Sequence, residues 1–92
     1  MSGGIDIDVE LLTAFLGELK RFNRELFESM ERCNTQFASL SDGWQDERFR
    51  KFSDDWAEAA AAISKYLGDS VGQIAFLEDK AAAARAYLGG AW

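Results

Sequence analysis

Ninety-two residues with a net charge of −6 at pH 7, no proline and no histidine exclude several classes of protein at once. So acidic a chain is poorly suited to nucleic acid or an anionic membrane surface, which are held by clustered lysine and arginine. Below about 100 residues a chain also buries too little surface for more than marginal stability unless something assists it.

With 48% hydrophobic residues and many alanines, leucines and glutamates, the composition predicts long helices and no strands. Met1 to Gly4 reads as a loose tail. No basic start leads into a long apolar run, and no stretch approaches membrane length, so neither a Sec signal peptide nor a membrane span is expected. The localisation implied is cytoplasmic, or secreted without a cleaved signal.

The first helix is predicted over residues 6–40. Val9, Leu12, Phe15, Leu16, Leu19, Phe22, Leu26, Met30, Cys33, Phe37 and Leu40 recur at intervals of three and four, a helical period. Leu12, Leu19, Leu26, Cys33 and Leu40 recur every seventh residue, the repeat that holds one seam against a neighbouring helix. Asp6 and Asp8 stand where carboxylates cap a helix start. Cys33, the single cysteine, has no internal disulfide partner and is expected as a small buried apolar residue in that seam.

Ser41-Asp42-Gly43 is the predicted reversal, with Gly43 closing the first helix in a left-handed conformation and Asp42 and Gln45 forming a capping box for the second. The second helix is predicted over residues 44–88, with Phe49, Phe52, Trp56, Ile63 and Ser70 on its apolar stripe. Gly68 and Gly72 interrupt that stripe, and a kink or frayed turn is expected there. Gly89-Gly90 ends the helix and residues 89–92 form a second loose tail, in which Trp92 either docks or dangles. Glu28 with Arg32, Glu47 with Lys51, and Lys65 with Asp69 are expected i,i+4 pairs on solvated faces.

Apolar residues of the first helix cover an arc from about −100° at Leu11 to about +60° at Phe27, taking Leu12 as zero. One neighbouring helix covers far less than that. The expected fold is therefore all-α: an antiparallel two-helix hairpin, pairing into a four-helix bundle as a homodimer or as a heterodimer with a similar hairpin. Its hairpin or dimer core is expected from Leu12, Phe15, Leu19, Phe22, Leu26, Met30, Phe49, Phe52, Trp56 and Ile63.

Trp44 lies about 120° from Trp56 on the helical wheel, at the end of the rod, where it either locks the turn or anchors a partner. Phe76 lies opposite Trp56 and is either a scattered surface aromatic or an extra contact.

Catalysis is not expected. Without histidine there is no Ser/His or Cys/His nucleophile pair. Asp54, Asp55 and Glu58 have Arg50 and Lys51 one turn away and read as a solvated face. The glycine pairs lie in the tails, so no phosphate loop is present. No catalytic, cofactor-binding or metal-binding residue and no small-molecule substrate is assigned.

In length, heptad helices and a tryptophan at the turn, the chain resembles the WXG family, early-secreted-antigen-like helical hairpins of type VII secretion. The family's Trp-x-Gly corresponds here to Trp44-Gln45-Asp46, with Asp46 in place of glycine. Phe49, Phe52 and Trp56 resemble the aromatic positions that open the family's second helix.

The resemblance implies a homodimeric or heterodimeric four-helix bundle, with the tryptophan turn as half of an export signal. The other half, Tyr-x-x-x-Asp/Glu, has no clear copy here: Tyr66 is followed four residues later by Ser70 and Tyr87 by Ala91, and Tyr66 to Asp69 is one residue short. Two further functions fit a helical hairpin. One is an intracellular adaptor for a larger secreted effector; the other is a polymerising subunit of a secretion apparatus, similar to type III needle subunits but without their turn prolines.

Overall fold

A computed structural model describes residues 7–90. It contains two helices, α1 (Val9–Ser41) and α2 (Glu47–Gly90), and no strand among the described residues. The helices pack against each other as a hairpin. The molecule is a rod of 68 × 20 × 16 Å, whose long dimension is that of α2 alone, since 44 residues rise about 1.5 Å each.

Local chemistry sets each boundary. Asp8 caps α1: its extended backbone turns the chain into the helix, and its Oδ1 accepts from the Leu11 amide at 3.0 Å. Asp6 lies outside the described residues, and α1 starts at Val9, three residues later than the periodicity suggests. Its last turn tightens, as Asp42 N donates to Ser39 O at 3.3 Å and Gly43 N to Leu40 O at 3.2 Å. These short-range bonds satisfy carbonyls that lack helical partners.

No described glycine has a positive φ, so Gly43 does not close α1 in the left-handed way expected of it. Nor does Asp42 cap α2, because it is itself the right-handed last cap of α1. Gln45 donates its side-chain amide to Ser41 O at 3.1 Å, so the expected capping box is absent. The turn occupies residues 42–46 rather than 41–43, and α2 begins at Glu47 rather than at residue 44.

Downstream, α2 runs unbroken through Gly68 and Gly72 to Gly90, without the expected kink and two residues beyond the expected end. Residues 91 and 92, including Trp92, lie outside the described residues. A Cβ added at Gly68 or Gly72 would meet nothing within 4 Å, so neither glycine serves a close approach within the hairpin.

The seam follows Leu12, Leu16, Leu19, Leu26, Met30 and Phe37 on α1, against Phe49, Trp56, Ile63, Leu67, Ile74, Leu77, Ala81 and Ala84 on α2. Enclosure is complete at few of them: Leu16, Met30, Phe49, Ala81 and Ala84 are the fully buried apolar side chains among the described residues. Cys33 is exposed and Leu40 half-exposed, contrary to their expected place in the seam. A straight α-helix drifts about 20° per heptad relative to a seven-residue repeat. Three heptads from Leu12 the contact line has moved from Cys33 to Asn34, and four heptads from it, from Leu40 to Ser41.

Of the three expected i,i+4 pairs, Lys65 and Asp69 form theirs at 2.7 Å. Lys51 instead pairs with Asp55 at 3.2 Å, and Arg32 donates to the Ser29 hydroxyl at 2.9 Å.

Because both glycines sit in regular helix with open space around them, Gly68→Ala and Gly72→Ala should each stabilise the hairpin by up to about 1 kcal/mol. Thermal melts should rise by roughly 4–8 °C per kcal/mol; an unchanged or lower Tm would show that these positions need glycine for another reason.

Candidate functional site

The turn is built around Asp46. Its Oδ1 accepts from the Phe49 amide at 2.8 Å and its carbonyl from the Arg50 amide at 3.1 Å, which makes it the cap of α2. Its other carboxylate oxygen accepts from the Trp44 indole N–H at 2.8 Å. Trp44 in turn packs on Phe49 with ring centroids 5.3 Å apart, tilted by 44°.

Trp44 therefore locks the turn, yet 43% of it remains exposed, which leaves one side of the indole open for a partner. The indole N–H, then the Phe49 amide, hold the Asp46 carboxyl below its ordinary range. Both donors stabilise the ionised form.

Next to the turn an aromatic cluster joins the helices. Phe37 stacks on Phe49 at 5.3 Å and 14° and contacts Phe52 at 5.9 Å. Beyond it, hydrogen bonds cross the seam. Trp56 donates to Asn34 Oδ1 at 2.9 Å. Asn23 donates to Ser70 Oγ at 2.6 Å and accepts from the Tyr66 hydroxyl at 2.8 Å.

Neither asparagine stands out from an apolar reading of the sequence. Their signal is spacing: Asn23 and Asn34 complete the series 16, 19, 23, 26, 30, 34, 37, each interval three or four.

The two flanks of the hairpin differ. On one, Lys20 and Glu78 form an ion pair and Arg85 donates to Thr13, tying α1 to α2. The other is aromatic. Phe15 and Phe22 are each 54% exposed and Phe52 49%, so these three expected core residues lie beside the hairpin seam, not in it. Phe22 meets Tyr66 edge-on at 6.4 Å.

Toward the turn this flank opens into a groove of about 820 Å³, lined by Ser29, Cys33, Gln36, Leu40, Phe52 and Trp56 among others. Phe76 is exposed at the flank's outer edge, where Lys80 Nζ lies 6.0 Å from its ring centroid. Among the described residues no cluster of His, Cys, Asp or Glu has the grouping of a metal site.

No family model, no curated protein and no solved structure matches the chain.

Two outcomes test the site's construction. Asn23→Ala leaves the Ser70 hydroxyl, 1% exposed, without its donor, and should cost about 1–3 kcal/mol in urea melts; a cost near zero would mean that the hydroxyl finds another donor. Asp46 has a folded pKa below its unfolded one, so its contribution is complete above the ordinary carboxylate range and is lost as pH falls through the lowered folded value. The Tm gap between wild type and Asp46→Ala should accordingly be present near neutral pH and narrow at about pH 2, whereas a gap independent of pH would assign the role to the carbonyl-like oxygens rather than the charge.

Proposed function

We propose that this protein is a non-enzymatic helical hairpin that assembles with another hairpin into a four-helix bundle and serves type VII secretion, as a WXG-like substrate or as its associated partner. The observation that carries the proposal is the aromatic flank. Half-exposed Phe15, Phe22 and Phe52 on one side of a rod form an apolar surface of the kind that soluble proteins reserve for association.

Support for the secretion role comes from the turn. Trp44 takes the tryptophan position of the family motif, and Asp46 supplies the helix cap that the glycine of Trp-x-Gly would lack. The substitution thus retains the reversal while changing its surface.

Secretion assays in a host with the type VII machinery test this directly. Wild type should reach the medium and Trp44→Ala should not, with the circular dichroism of the variant unchanged in helix content. Equal release of both forms, or release from a host lacking the machinery, would remove the secretion role.

A further inference from the structure

We propose that the hairpin consists of two cooperative halves joined by a hinge in mid-rod, and that its outer arms, residues 9–22 of α1 and 73–90 of α2, part while the half next to the turn stays closed. The inference stands on the seam alone and is independent of the export reading.

Apolar side chains are fully buried toward the two ends of the rod. Leu16 lies between Thr13 and Lys20, whose partners Arg85 and Glu78 bracket Ala81 and Ala84 on α2, so these three residues gather between the arms. Met30 and Phe49 belong to the turn half, where Phe37 and Trp44 each pack on Phe49 with ring centroids 5.3 Å away. Between Leu16 and Met30 on α1, and between Phe49 and Ala81 on α2, the one fully buried side chain is Ser70, which is polar.

Mid-rod is therefore held differently from its ends. Asn23 donates to Ser70 Oγ at 2.6 Å and accepts from the Tyr66 hydroxyl at 2.8 Å, and such bonds add little net stability because water can serve the same groups once they open. Leu19, Leu26, Leu67 and Ile74 around them are only partly covered. Gly68 and Gly72 stand two residues to either side of Ser70, with nothing within 4 Å of an added Cβ; they weaken the helix there without serving a close contact. Two glycines, a polar bridge and a gap in apolar burial thus share one cross-section of the rod.

The arms are the weaker half. They enclose one leucine and two alanines, against aromatic rings in the turn half that each bury about 150–250 Å². Their cross-links, Lys20–Glu78 and Arg85–Thr13, are exposed, and exposed pairs hold helices together weakly. The turn ties the other half together, since it joins α1 directly to α2. Once parted, each arm is close to the length at which an isolated helix is marginal in water, about 12–15 residues, so its amides become open to exchange. Parting uncovers Leu16, Ala81 and Ala84 while Trp44 stays on Phe49 and Asp46, which makes the seam of the arms reachable without undoing the turn.

Residue-resolved hydrogen exchange of the full chain, in urea below the unfolding transition, tests the division. Amides of both arms should share one opening free energy lower than that of the turn half, with a step at residues 66–72 of α2 where fraying would give a gradual rise from the end. Phe49→Leu should speed exchange in the turn half on the order of tenfold and leave the arms unchanged, because their opening does not disturb Phe49. Asn23→Leu combined with Ser70→Ala replaces both hydrogen-bonding partners by apolar groups, a change that folded proteins accept at little cost, and should erase the step by joining the halves into one.

A single opening free energy along the whole wild-type hairpin, a graded profile without a step, or equal acceleration of both halves by Phe49→Leu would overturn the hinge. A step that persists in the double variant would overturn the polar bridge as its cause.

Discussion

Two helices in contact can hide one stripe each, and this hairpin has more apolar surface than two stripes hold. Its fully buried residues are spread along the seam from Leu16 to Met30 on α1 and from Phe49 to Ala84 on α2. Between them most seam positions are half-covered, since no third layer lies above. Much of what remains faces one flank, whereas the other, where Phe27 and Val71 are exposed, is crossed by Lys20–Glu78 and Arg85–Thr13. The asymmetry between flanks follows from where polar side chains bridge the helices, and it gives the rod a side.

The seam itself is held in register by polar groups. Apolar residues repeating at three and four permit helices to slide by a turn with little loss, whereas a hydrogen bond between buried side chains has one correct partner. Asn23 satisfies both the Ser70 hydroxyl and the Tyr66 hydroxyl, and Asn34 satisfies the Trp56 indole. Tyr66 and Trp56 are thereby oriented at the edge of the aromatic flank and the wall of its groove. The residues that fix the fold thus also shape the candidate surface.

At the turn, one carboxylate has two tasks. Asp46 starts α2 through the Phe49 amide and holds Trp44 through the indole N–H. Glycine at this position could provide neither bond. The Asp46 carboxylate thereby sets the orientation of the Trp44 indole at the end of the rod.

Much of this architecture could be read from the chain alone, because helix period, helix breakers and caps are local: the 3.6-residue spacing yields two long helices, Asp8 caps the first, and one polar stretch reverses the chain. The misplaced details were also local in appearance but not in cause. Ser41-Asp42-Gly43 has the composition of a turn, yet the next cap is Asp46, since its carboxylate can reach the Trp44 indole as well as the Phe49 amide. Cys33 and Leu40 keep a seven-residue spacing, yet a straight helix carries them off the contact line. The sequence alone determined that there would be two amphipathic helices with surplus apolar surface, because periodicity and composition are properties of the chain. Only the tertiary structure decided which side that surplus faces, because this depends on the rotation of each helix about its axis, set by Asn23, Asn34 and the cross-helix pairs that meet only once the hairpin has closed.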